Sequence, residues 1–150
     1  MKRFVWRLQK VLDVKEKQEE IKRIELFRLI ETLASKQGEL LMRQRILQDI
    51  IDGISQDKSP GRLTTQEFVL RQAATNDEQI RKLKSQIAEL EARQKEKTAE
   101  LLALRKSREG LERLRAEARE QFIREQEKLE QKEQDEGSTV AFARKEIMKE

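Results

Sequence analysis

The sequence predicts an all-α fold, a long two-helix antiparallel coiled-coil hairpin whose second helix overhangs the first. Three observations carry this. Charged residues make up 41% of the 150 positions and hydrophobic residues 36%. That is too little apolar material for a layered core, but enough for a narrow seam along long helices. The only proline, Pro60, falls in the stretch Gly53-Ile54-Ser55-Gln56-Asp57-Lys58-Ser59-Pro60-Gly61, and a helix cannot run smoothly through such a cluster. Apolar residues recur at three- and four-residue spacing on both sides of it.

Helix one is expected over about residues 3–53, roughly 75 Å at 1.5 Å per residue. Its stripe reads Leu8, Val11, Val14, Gln18, Ile21, Ile24, Phe27, Ile30, Ala34, Gln37, Leu41, Gln44, Leu47, Ile51 and Ile54. Consecutive three-residue steps near Ile24 suggest a local stammer. The bend occupies about 53–64. Thr64-Thr65-Gln66-Glu67 then fits a capping box with Thr64 as N-cap, and Leu63 with Phe68 fits a hydrophobic staple.

Helix two is expected over about residues 65–134, roughly 105 Å by the same rise. Steps of four and three from Val69 reach Ala73, Asn76, Ile80, Leu83, Ile87, Leu90, Gln94, Lys97, Leu101, Leu104, Arg108, Leu111, Arg115, Ala118, Phe122, Glu125 and Leu129. Twelve of these eighteen positions are apolar, which specifies a left-handed coiled coil. Glu89–Arg93, Glu91–Lys95, Glu109–Arg113 and Glu120–Arg124 are spaced to support the helix as i, i+4 pairs. A short connection folds two helices back as antiparallel neighbours. The whole chain, 1–150, then forms one coiled-coil domain in which paired residue numbers sum to about 118. On that register Gln94 and Lys97 lie opposite Ile24 and Ile21. A dimeric rod, each seam paired with another chain, is the alternative.

Composition removes several kinds of chemistry. The chain has no Cys and no His, so disulfides, Cys/His zinc sites, thiol nucleophiles and imidazole acid–base catalysis are excluded. Carboxylates interleave with Lys and Arg, and the densest cluster, Glu133, Asp135 and Glu136, lacks the glycine turn and ligand spacing of a calcium loop. There is no Gly-rich phosphate loop. Neither catalysis nor a cofactor is expected. Lys and Arg number 33 against 29 Asp and Glu, finely mixed, which describes a solvated helix surface and no nucleic-acid footprint. No apolar run exceeds four residues, as at Leu101 to Leu104, so no membrane insertion is expected. With no secretory pattern in the first residues, the chain is expected in the cytoplasm.

The two ends differ from the shaft. Residues 1–12 carry Lys2, Arg3, Arg7 and Lys10 without an acid, beside Phe4, Val5, Trp6, Leu8, Val11 and Leu12. Such a segment can anchor at a membrane surface, dock an acidic partner, or rest its apolar side on helix two. At the other end Gly137-Ser138-Thr139 is expected to interrupt the helix. The tail 137–150, with Val140-Ala141-Phe142-Ala143-Arg144-Lys145, is then either frayed or a docking segment.

The same ends carry a family resemblance. Arg7-Leu8-Gln9-Lys10-Val11-Leu12-Asp13-Val14-Lys15-Glu16-Lys17 resembles the opening of the FliJ family of flagellar type III export proteins. Leu111-Glu112-Arg113-Leu114 and Lys128-Leu129-Glu130-Gln131-Lys132-Glu133-Gln134-Asp135-Glu136 are similar to its closing pattern. Length, mid-chain break and the Gln66-Glu67-Phe68 start of helix two agree. The chain departs from the family at Gln134, where an apolar residue is usual, and at Gly137-Ser138, where an apolar-Ala pair is usual.

The resemblance implies a cytoplasmic stalk, peripherally associated with the inner-membrane export apparatus and serving flagellum biogenesis, motility and chemotaxis. It implies insertion of the terminal end into the hexameric ring of the export ATPase, contact of the bend side with the membrane export-gate protein, and handling of export chaperones. By motif, the ATPase end comprises Arg7, Leu8, Lys10, Val11 and Leu12 with Gln131, Lys132, Asp135 and Glu136. On the gate side Phe68 matches the family, and Gln72, Thr75 and Gln79 share its face by spacing. Phe68 equally fits the staple against Leu63. The free chain is expected to be a monomer. A homodimeric coiled-coil scaffold or tether, a peripheral membrane adaptor using residues 1–12, and an injectisome-type stalk are the competing readings.

Overall fold

The computed structural model describes residues 2–56 and 62–149, with only the backbone of Arg62. Two helices account for nearly all of it: α1, Gln9–Gln56, and α2, Arg62–Lys149. No strand occurs among the described residues. The helices pack against each other as an antiparallel hairpin. The chain divides into two compact units, Met1–Gln18 with Leu104–Glu150, and Glu19–Ala103.

Helix limits differ from expectation at four places. Residues 2–8 are not helical, so α1 starts at Gln9 rather than near residue 3, and it runs on to Gln56. The first turn is closed by the Gln9 amide donating to the Trp6 carbonyl, 3.1 Å. Helix α2 begins at Arg62, so Thr64 lies inside the helix and does not cap it. Leu63 and Phe68 are 74% and 64% exposed, and the expected staple is not closed. The remaining part of the expected bend, residues 57–61 with Pro60, lies outside the described residues. Finally, α2 continues through Gly137-Ser138-Thr139 to Lys149. One glycine costs a helix only about 1 kcal/mol, and the Thr139 hydroxyl donates to the Asp135 carbonyl one turn back, 2.8 Å, so neither residue stops it.

The seam of α2 follows the expected repeat. Every position from Val69 to Phe122 in that series is buried or half-buried, and Ile80, Leu83 and Ile87 are its most buried apolar members. Beyond it Glu125 and Leu129 are exposed. The seam of α1 is different from the expected stripe. Apart from the half-buried Gln9 and Glu25 at its side, the seam comprises Leu8, just before the helix, and Leu12, Lys15, Glu19, Lys22, Leu26, Leu29, Leu33, Lys36, Leu40, Arg43, Leu47, Ile50 and Ile54. Their steps alternate four and three without a break, so there is no stammer. Val11, Val14, Ile21, Ile24, Phe27, Ile30 and Leu41, all assigned to the seam from sequence, are more than 40% exposed. The strict repeat wins because each of its turns meets α2, even where the residue is a lysine whose stem packs while its ammonium reaches water.

Within Glu19–Ala103 the pairing close to the bend is one residue from expectation. Arg43 meets Asn76, a sum of 119, and Ile50, Gly53 and Ile54 line one small recess with Val69, Gln66 and Thr65 at the same sum. Further along, Lys22 pairs with Glu100 and Glu25 with Lys97, a sum of 122. In the other unit Gln9 pairs with Arg115, a sum of 124. Lys97 therefore faces Glu25 and not Ile21, which is exposed. Of the four expected i, i+4 pairs Glu120–Arg124 forms at 2.6 Å, while Glu109 takes Arg105 at 3.2 Å in place of Arg113.

Candidate functional site: the terminal and bend surfaces

In the unit Met1–Gln18 with Leu104–Glu150, the non-helical segment 2–8 lies on α2. The Phe4 ring stacks at a tilt on Phe122, centroids 5.5 Å apart and planes at 50°. The Arg115 guanidinium stands 5.9 Å from the Phe4 centroid, within cation–π range, while its Nε donates to Gln9 Oε1 at 2.8 Å. A groove of about 700 Å³ runs between this segment and α2, with Trp6 and Leu114 among its lining residues. Of the three roles open to residues 1–12, an apolar side resting on helix two describes Phe4. Sequence reasoning missed this cluster. Its signal was the aromatic seam residue Phe122 placed beyond the start of α1.

Among the residues assigned to the ATPase end, Arg7 and Lys10 are exposed and Val11 is 44% exposed. Leu8 is half-buried, and Leu12, at 3%, is the most buried side chain of the described residues. Leu12 is occupied in packing α1 on α2. Gln131, Lys132, Asp135 and Glu136 are all exposed on α2. The structure does not bring these two groups together. Gln131 lies nine residues past Phe122, about 13 Å of helix rise, and from Glu127 to Lys149 every side chain of α2 is exposed.

In the unit Glu19–Ala103, Phe68, Gln72 and Thr75 are exposed and Gln79 is half-buried. Their spacing keeps them on one side of α2. The Thr75 hydroxyl is turned to the Arg71 carbonyl, 3.0 Å. Leu70 is exposed in the same turns.

In the same unit the seam carries charge. Lys22 Nζ lies 2.7 Å from Glu100 Oε2 and 3.6 Å from Glu25, and Lys97 Nζ lies 2.8 Å from Glu25 Oε2. The hydrogen bond from Lys97 holds the Glu25 carboxyl below its usual range, the bond from Lys22 does the same for Glu100, and the bond to Glu100 raises Lys22. Two alternating ion pairs joined through Glu25 give this part of the seam a fixed partner set, a means of setting register at little gain in stability. Asn76 does the same nearer the bend. It is 7% exposed, donates to the Arg43 carbonyl at 2.8 Å and accepts from the Arg43 guanidinium at 3.3 Å.

No group of three or more metal-ligating side chains is assembled among the described residues, and none of the described helices is long and apolar enough to cross a membrane. What the arrangement offers is helix surface and helix ends. The family model described as Flagellar FliJ protein matches residues 3–146.

The chain belongs to the FliJ family. It is thus a flagellar export-related protein, in a family of export-apparatus proteins and not a known enzyme family. Its partners belong in general to the flagellar export apparatus. No curated protein and no solved structure matches the chain. Because the FliJ match runs from residue 3 to residue 146, it takes in the Phe4 segment, both seams and most of the solitary end of α2.

Proposed function

We propose that this FliJ-family chain is a cytoplasmic stalk of the flagellar export apparatus, peripheral to the inner membrane, that links the export ATPase ring to the membrane export gate and handles export chaperones. The observation that carries the reading is the end of α2. From Glu127 to Lys149 it is a single helix with all side chains exposed, past the level where α1 and the Phe4 segment lie on it. A lone helix about 10–12 Å across enters a narrow ring pore more readily than a pair. Gln131, Lys132, Asp135 and Glu136 then belong to the inserting tip. Arg7 and Lys10, exposed and set back from it, form a basic collar for an acidic rim, with Val11 beside them. Leu8 and Leu12 serve by holding α1 in place. Phe68, Gln72, Thr75 and Gln79 form the gate-side surface.

The test is ATP hydrolysis by the cognate export ATPase titrated with this protein and its variants. The double variant Arg7→Glu/Lys10→Glu should abolish stimulation without changing helicity, whereas Lys82→Glu/Lys84→Glu should stimulate like the native chain. Stimulation should fall with added salt, since exposed charges are screened beyond about 8 Å at physiological ionic strength. Full stimulation by the collar variant would falsify the assignment of this end to the ring.

A further inference from the structure

Helix α1 carries a second seam. Phe27, Ile30, Ala34, Gln37, Leu41, Gln44, Gln48 and Ile51 follow steps of three and four without interruption, as the inward seam does. All eight are exposed, Phe27 at 61% and Leu41 at 67%. None is charged, in a chain that is 41% charged. On an ordinary solvated helix face, Lys, Arg, Asp and Glu would fill most of these places. A 3.5-residue repeat of uncharged side chains fits the face of a second straight helix. The whole seam lies in the unit Glu19–Ala103.

In place of the monomer expected from the sequence, we propose that this outward seam of α1 pairs antiparallel with the same seam of a second copy of the chain, forming a two-fold homodimer. Self-complementarity selects a second copy over a foreign helix. In the register where facing seam residues sum to 78, Phe27 meets Ile51 of the second copy, Ile30 meets Gln48, Ala34 meets Gln44 and Gln37 meets Leu41. Every glutamine then lies against an apolar residue, its stem in the seam and its amide at the edge. The flanking row one position outward holds Glu31, Gly38 and Arg45. In the same register flanking residues sum to 76, so Glu31 faces Arg45 of the second copy, twice, and Gly38 faces Gly38 on the two-fold axis. Neither Glu31 nor Arg45 has an ion-pair partner among the described residues.

Gly38 fits this pairing. It sits in the middle of α1, where glycine costs about 1 kcal/mol relative to alanine. A Cβ added there would meet nothing within 4 Å, so nothing within the chain calls for its small size. Close approach of a second helix at the axis does. The neighbours Ala34 and Ser35 keep the same stretch of surface low.

Sedimentation equilibrium of the full chain over a concentration series is the test. A monomer–dimer equilibrium is expected, and Leu41→Glu, which places a carboxylate in two symmetric layers, should weaken it at least tenfold with unchanged circular dichroism. Glu31→Arg alone and Arg45→Glu alone should each weaken the dimer at low salt, because each creates two like-charge contacts. The two together should restore it, because the opposite charges again face each other. Gly38→Cys should be bridged between chains by a short bismaleimide far faster than Lys82→Cys, on the exposed side of α2. A monomer mass throughout the series, a dimer indifferent to Leu41→Glu, or a double charge swap as weak as either single variant would each overturn the proposal.

Discussion

Lys97 and Glu25 meet across the seam at 2.8 Å, although the register expected from the sequence set Lys97 against Ile21. The difference reverses the expected consequence of replacing the lysine. Against isoleucine, a leucine at 97 would add apolar contact. Against Glu25 it removes one of the two ammonium groups that face that carboxylate and leaves it with Lys22 at 3.6 Å. Lys97→Leu should therefore lower Tm modestly, and Lys97→Leu combined with Glu25→Leu should recover much of the loss. A double-mutant cycle by thermal melting measures this. Additive losses would show that the pair is not coupled.

Acid and alkali should loosen the same layer for opposite reasons. Glu25 and Glu100 are held below the ordinary 4.5, mainly by hydrogen bonds from Lys97 and Lys22 respectively. Their contribution is present above 4.5 and is lost as pH falls through their lowered folded values. Lys22 is raised above 10.5, chiefly by its bond to Glu100. Its contribution is complete below 10.5 and is lost as pH rises through its raised folded value. The layer is thus intact between about pH 4.5 and 10.5 and weakens progressively beyond, through the lowered carboxyl and raised ammonium values. Tm profiles of the native chain and of Glu25→Gln/Glu100→Gln should converge in acid and separate at neutral pH. A constant gap between the profiles would remove these carboxylates from the acid transition.

Asn76 should trade stability for alignment. Its amide is buried against the Arg43 backbone and guanidinium, a contact that only one register satisfies. Asn76→Leu should raise Tm, since an apolar side chain suits the site. It should also permit helix slippage. Leu40→Cys with Gln79→Cys, numbers that sum to 119, should cross-link cleanly in the native background. In the Asn76→Leu background that yield should fall, while Leu47→Cys with Gln79→Cys, one heptad displaced, gains. An unchanged cross-linking pattern would show that register is set elsewhere.

The Phe4 contact should govern access to residues 2–8 with little effect on the helices. Phe4→Ala removes the ring on Phe122 and the face under Arg115, worth about 1–2 kcal/mol in all. Trypsin should then cut at Arg3 and Arg7 faster, at unchanged helicity. Cleavage at the native rate would mean that Trp6 and Val5 hold the segment without Phe4.

The α2 seam was legible from Val69 to Phe122, because that run admits a single 3–4 repeat. Helix α1 was harder, because it carries two such repeats. From Phe27 to Gln44 the stripe chosen from sequence is a true heptad repeat, but it is the outward one. The inward repeat interposes Lys15, Glu19, Lys22, Lys36 and Arg43 among its leucines, so a count of apolar residues ranks it second. Its regular spacing was the better guide, and the three-residue steps near Ile24 mark where the chosen stripe wandered from one side of the helix to another. The ends were misjudged on local grounds. Gly137 and Thr64 have the propensities of helix boundaries, yet α2 already begins at Arg62 and runs on through Gly137 to Lys149, because single-residue propensity is a weak determinant within a long helix. Of the candidate surfaces, exposure of Arg7 and Lys10 was legible from charge, whereas Phe68 stood open between a staple and a surface until its exposure was seen. Leu12 was not, because its partner seam on α2 decides its burial.

The narrowness of the seam has an evolutionary consequence. Among the described residues only Leu12, Leu33, Ile80, Leu83 and Ile87 are deeply buried apolar side chains, and none is below 2% exposure. A fold held by so few enclosed positions constrains its sequence by rhythm more than by identity. Leu, Ile, Ala, or a lysine with a long stem can each occupy a rung, and the outer faces are free to drift. Selection can then redraw one surface of this protein to suit a changing neighbour without re-engineering what lies beneath it. Descent would be recorded in the phase of the repeat, the place of its break and a few aromatic or amide pins, long after most letters had changed.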